Sequence, residues 1–197
     1  MNSNMNDNLK KLTYAGIMAA LCYVGYAVFP AISVSGSKVH LGNAFVVLGS
    51  FILGGLYGGL AGAVGLSLAD ILTGYAVSAP RTFICKLLIG LIAGAFALKI
   101  GEINHPHPKK YVLKWAIISS VAGLGFNCVF EPALKYLWYT LLTPDASKAQ
   151  AAIGTLMAVT TATTLINTVI NTVAAVALYM TFRPALIRAG VIKLENE

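Results

Sequence analysis

Six apolar runs, at about 9–29, 40–56, 58–73, 80–100, 112–140 and 151–182, occupy most of this 197-residue chain, and only short breakers separate them. A helix needs about 20 mainly apolar residues to cross a bilayer, so runs of this length predict six transmembrane helices with little sequence left over for anything else. Composition agrees. The chain is 57% hydrophobic and 11% charged, with a mean hydropathy of +0.76, whereas soluble domains carry roughly 25% charged residues. The expected fold class is an all-α integral membrane protein forming one transmembrane domain over residues 1–197.

The breakers set the order of the elements. Pro30 ends the first run, Pro80 sits near the start of the fourth, and "HPHPKK" divides the fourth from the fifth. The second and third runs are short and joined only by "GGLYGG", which predicts a tight helical hairpin. The N-terminal segment has a basic start and an apolar core without a small-x-small cleavage pattern, so a retained first helix is expected. Cys22, Cys85 and Cys128 lack C-x-x-C spacing and read as small core side chains.

The net charge of +7 reads as a topology signal, because no aromatic and basic platform for nucleic acid accompanies it. Lys10 and Lys11 precede the first run, Lys99, Lys109, Lys110 and Lys114 bracket the loop before the fifth, and Arg183, Arg188 and Lys193 follow the sixth. With six spans these positions share one side. The loops "AISVSGSK", "TGYAVSAP" and "TPDASKAQ" share the other and carry few charges. The positive-inside rule then places both termini in the cytoplasm.

Ionisable groups at membrane depth are costly and usually mark a site or pathway. In the fifth run Asn127, Glu131, Lys135 and Trp138 recur at helical spacing and form one polar and aromatic stripe. In the sixth, Thr160, Thr164, Asn167 and Asn171 share a face. His40 and Asn43 open the second run, Asp70 ends the third, Tyr75 lies in the loop that follows, and Arg81 and Lys86 open the fourth. All lie in the outer half or at the midplane, and the inner half has no comparable set. A pore needs polar lining on both sides of the midplane, so a cup for a small polar molecule fits better. Pro132 frees a carbonyl beside Glu131.

Bland readings stand beside these. Glu131 and Lys135 have the spacing and order of an intrahelical ion pair, Asn167 and Asn171 those of interhelical glue. Asp70 and Arg81 flank one loop and could pair, Lys86 has the reach to snorkel outward, and Trp138 suits an interfacial belt. Gly54 with Gly58, Gly55 with Gly59 and Gly58 with Gly62 have small-x-x-x-small spacing for close helix approach, and Ala15 and Ala19 in "AGIMA" form a flat strip. No G-x-S-x-G, H-E-x-x-H, aspartate pair or Walker A loop is present. No enzymatic activity, metal or cofactor is expected, and energy coupling would need ATP hydrolysis on another polypeptide.

Taken together, "AGIMAAL", "VHLGNAFVVLGSFILGGLYGGLAGAVGLSLADIL", "YAVSAPRTFICKLLIGLIAG" and "NTVAAVALYMTFRPALIR" resemble the substrate-capture (S) components of energy-coupling factor (ECF) transporters, with greatest likeness to the riboflavin, pyrimidine and pyridoxine types. The resemblance implies a six-helix S-component-like bundle in a prokaryotic plasma membrane. It implies a vitamin site near the outer face, beneath the loop after the first helix and the loop between the third and fourth. Its implied partners are a transmembrane coupling subunit (EcfT), which Ala15 and Ala19 would contact, and two ABC ATPases (EcfA type). It also implies that the subunit topples in the bilayer to release its substrate. The substrate-binding set expected is His40, Asn43, Tyr75, Arg81, Lys86, Asn127, Glu131, Trp138, Asn167 and Asn171. A hydroxymethylpyrimidine or vitamin B6 compound is the first expectation for the ligand and riboflavin the second. A membrane scaffold of the cell-shape type and an intramembrane enzyme using Asp70 with His40 are the rivals from other classes.

Overall fold

The computed structural model describes residues 2–27, 32–34, 37–142 and 146–194, with side chains over 8–27, 38–141 and 153–194. Each apolar run becomes a helix. The order is α1 (Asn2–Ala27), β1 (Ile32–Val34), β2 (Ser37–Val39), α2 (Gly42–Leu53), α3 (Gly55–Leu72), α4 (Ala79–Gly94), α5 (Lys109–Leu142) and α6 (Ala146–Arg188), with a π-helical turn, Ala95–Ile100, continuing α4. Among the described residues, four helical stretches are long and apolar enough to cross a bilayer: Gly55–Leu72, Ala76–Ile100, Lys109–Leu141 and Ile153–Arg188, while Gly42–Leu53 is shorter. The expected all-α membrane class is the one observed. Large apolar side chains such as Val64, Val121, Val129, Val169 and Val173 stand exposed on the helix surfaces, which lipid tolerates and water does not.

Three local features differ from the sequence reading. The helical hairpin turns at Gly54 alone, ahead of most of "GGLYGG", because Gly54 adopts φ +91°, a left-handed conformation that costs glycine little. The loop before α2 contains a short antiparallel hairpin, with Ile32 opposite Val39 and Val34 opposite Ser37. Finally, α6 runs on through Pro184. That extension is anchored where Arg183 Nη2 donates to the carbonyls of Ile103 (3.0 Å) and His105 (3.3 Å). Pro30 and the "TPD" of the loop before α6 lie outside the described residues.

Most glycines of α2, α3 and α4 lie at contacts within the chain. A Cβ on Gly58 would collide with the backbone of Ser50 on α2, one on Gly90 with Gly59, one on Gly94 with Gly55, and one on Gly65 with the carbonyl of Ala19. Helices α2, α3 and α4 therefore touch backbone to backbone, and α1 lies against α3. Van der Waals contact at this range drives helix association in lipid, where there is no hydrophobic effect to do so. Ala15 is buried and Ala19 packs against the same core. The Ala19 carbonyl lies against Gly65 of α3, and the exposed side of α1 at that level carries Gly16, Ile17 and Ala20.

Candidate solute-binding site

Two asparagines on α6 tie the chain entering α2 to the bundle. Asn167 accepts from the His40 N–H (3.0 Å) and donates to the Lys38 carbonyl (2.8 Å). One turn on, Asn171 accepts from the Ala44 N–H (2.8 Å) and donates to the His40 carbonyl (2.9 Å). The first-turn N–H groups of a helix have no partner within it, and Leu41 at the N-cap offers no side-chain acceptor. The Ala44 N–H is shared between the Leu41 carbonyl (3.1 Å) and Asn171 Oδ1 on another helix. The glue reading of Asn167 and Asn171 is thereby realised, and Asn167 also borders the cavity described next.

At this end of the bundle lies a cavity of about 60 Å³ bordered by α1, β2, α3, α4, α5 and α6. Six side chains that carry charge line it: Lys38, Asp70, Arg81, Lys86, Glu131 and Lys135, joined by His40, Tyr26, Tyr75 and the threonines 160, 163 and 164. Asp70 is held by two hydroxyls, accepting from Tyr26 Oη (2.6 Å) and Thr82 Oγ1 (2.5 Å). Lys86 Nζ lies 3.5 Å from Glu131 Oε2, an oxygen that also accepts from Asn127 Nδ2 at 2.6 Å. Lys135 Nζ donates to Thr160 Oγ1 at 2.8 Å. The Lys38 ammonium sits between two aromatic faces, 4.6 Å from the Tyr26 ring centre and 4.4 Å from that of Tyr75, within cation–π range.

These contacts decide among the alternatives that spacing leaves open. Glu131 pairs across helices with Lys86, while Lys135, its neighbour one turn along α5, reaches Thr160 on α6. Lys86 is buried in this pair, so it does not snorkel. Asp70 and Arg81 do not pair: Asp70 takes its two hydroxyls, and Arg81 Nη2 donates to Ser78 Oγ at 3.3 Å. His40 Nδ1 accepts from the Gly42 N–H (3.1 Å), which assigns the ring proton to Nε2.

Of the ten expected binding residues, His40, Tyr75, Arg81, Lys86, Glu131 and Asn167 border the cavity. The other four lie outside its lining. Asn171 spends its amide on the α2 start, and Asn127 stands behind Glu131 and orients it. Asn43 is buried in α2 with its Oδ1 lacking a partner, and the half-buried Trp138 has its indole N–H in the same condition. Tyr26, Lys38, Ser78, Thr82 and Thr163 were absent from the expectation. Two of them left a signal: Lys38 is a cation in a loop the topology leaves charge-poor, and Thr163 lies one turn before Asn167.

Apolar helices with exposed aliphatic surfaces, closed around a hollow that holds their ionisable groups, define a multi-pass membrane protein. The model of the ECF-type riboflavin transporter S component matches residues 6–184, and the chain belongs to this family of ECF S components. No curated protein and no solved structure matches it significantly. An S component is the substrate-capture subunit of a transporter and not an enzyme. The family works in general with a vitamin substrate and with EcfT and EcfA partners.

Proposed function

We propose that this chain is a single-domain capture subunit whose six helices cross a prokaryotic plasma membrane with both termini in the cytoplasm. It takes a vitamin or vitamin precursor from outside into the cavity beside His40, Arg81, Lys86, Glu131 and Asn167. The observation that carries this reading is the convergence of six charged side chains from four elements on one hollow, while side chains such as Val64, Val121, Val129, Val169 and Val173 give the outer faces of α3, α5 and α6 an aliphatic surface. Buried charges are retained where a partner or ligand compensates for lost hydration.

The hollow is small. Its 60 Å³ is the share of about two water molecules, far below the roughly 300 Å³ where ligand pockets begin. Any ring enters by displacing side chains at the mouth, with Lys38 and Tyr75 the first to move. A single-ring hydroxymethylpyrimidine or B6 compound needs less displacement than a tricyclic flavin. The description of the matched family model favours riboflavin as the second reading. Transport is energised by a coupling subunit and ATPases on other chains, with contact on the exposed face of α1 and Ala19 at its edge.

Mass spectrometry of the molecule that co-purifies with the detergent-solubilised chain tests the proposal. A bound vitamin or precursor, lost from a Glu131→Gln variant that remains folded, is the expected result. A folded wild-type protein that retains no small molecule and binds none of the three candidate compounds contradicts it.

A further inference from the structure

The charges around the cavity do not balance. Among the described side chains that line it, Lys38, Arg81 and Lys86 stand with the two carboxylates Asp70 and Glu131, so cations outnumber carboxylates even with Lys135, which donates to Thr160, set aside. Both carboxylates are already engaged, Asp70 by the hydroxyls of Tyr26 and Thr82 and Glu131 by Lys86 and Asn127. Arg81 is the sharpest case. It is 7% exposed, lines the cavity, and meets a single neutral hydroxyl at 3.3 Å, although a guanidinium carries five N–H donors. A second feature adds to the positive potential at the same level. Arg81 stands in the first turn of α4, whose N-cap residue Ser78 makes no capping bond, and a helix N-terminus favours negative charge.

We infer that the captured solute is an anion, a small ring compound whose carboxylate or phosphate docks on Arg81 at the α4 N-terminus. This assignment rests on the capture reading above and narrows its ligand, within the compounds considered there, to a phosphorylated B6 form or another anionic ring compound in place of neutral hydroxymethylpyrimidine or riboflavin. Arginine binds such groups through paired N–H donors, in bonds stronger than those between neutral groups. The opposite wall is suited to the rest of the molecule. Thr163 and Thr164 each donate their hydroxyl to a carbonyl of their own helix, so what they present is an oxygen acceptor for ring N–H or O–H groups. Charge and hydrogen-bond polarity thus run across the hollow, from donors on α4 to acceptors on α6.

Calorimetric titration of the full chain in detergent tests this with matched probes: pyridoxine against pyridoxine 5′-phosphate, and nicotinamide against nicotinate. Mass spectrometry of the co-purified molecule runs beside it. The expected result is at least tenfold tighter binding of the anionic member in one pair, a preference that Arg81→Gln removes and Arg81→Lys partly keeps. If a probe binds and in neither pair is the anionic member preferred, or a neutral vitamin co-purifies, the charge assignment is overturned and the capture reading stands. A phospholipid as the sole bound anion also overturns the assignment. If no probe binds and nothing co-purifies, both fail.

Discussion

The joint between α3 and α4 and the joint between α5 and α6 are built in opposite ways. At the first, Gly55 and Gly59 meet Gly94 and Gly90 with no room for a single added carbon. At the second, side chains keep the helices apart: Lys135 spans to Thr160, and Thr168 meets Cys128 (3.1 Å) and the Leu124 carbonyl (3.2 Å). Removing side chains lets backbones touch and leaves no space. Long polar side chains hold backbones apart, and whatever space they do not fill must satisfy their hydrogen bonds by other means. The glycine side is a frame, and the hollow forms where the polar side meets it.

Enlarging a residue at the frame should have the greatest effect. Gly90→Leu is expected to abolish folded, monodisperse protein, since even one inserted methylene in a packed core costs about 1–3 kcal/mol. Gly16→Leu, where a Cβ meets nothing within 4 Å, should leave the size-exclusion profile and melting temperature unchanged. Equal behaviour of the two would dissolve the contrast. On the polar side, Glu131→Ala leaves Lys86 buried without its carboxylate, and breaking such a pair costs about 3–5 kcal/mol. A markedly lower melting temperature is expected, partly recovered in a Lys86→Met, Glu131→Leu double variant.

Asn171→Ala removes the closer of two acceptors of the Ala44 N–H, which keeps the Leu41 carbonyl, and takes the Asn171 donor from the buried His40 carbonyl, at about 1–3 kcal/mol for a buried group left unpaired. Faster amide exchange at the start of α2, measured by mass spectrometry, should accompany a modest loss of stability. Among the destabilising variants Ala15→Leu should have the smallest effect, a drop of a few degrees in melting temperature, because Ala15 is buried in the core. Weaker assembly with the coupling subunit at unchanged stability would instead place Ala15 on the partner surface.

The helices were legible because lipid demands long apolar runs, and because Pro80 and the "HPHPKK" stretch interrupt them where the structure does. The polar stripes were legible as stripes. Which atoms they meet was not, since periodicity fixes a shared face and says nothing of the facing helix. Glu131 illustrates this: its spacing to Lys135 matches an ion pair, yet the rotation of α4 brings Lys86 closer. Asn167 and Asn171 satisfy the chain's own backbone before any ligand, a use visible only once the 38–44 segment is placed against α6. The three-residue strands are too short for alternation to register. The glycine pattern foretold close contact and left open whether the contact lay within the chain or beyond it.

The claim beneath all of this is that the charged hollow holds the captured solute. The most direct test is the Kd of the co-purified molecule for wild-type protein and for Glu131→Gln, with Gly16→Leu as the control. At least a tenfold weakening in Glu131→Gln, equivalent to about 1.4 kcal/mol, with the control unchanged, is the predicted result. Equal affinity in all three folded proteins would place the solute elsewhere and contradict the account.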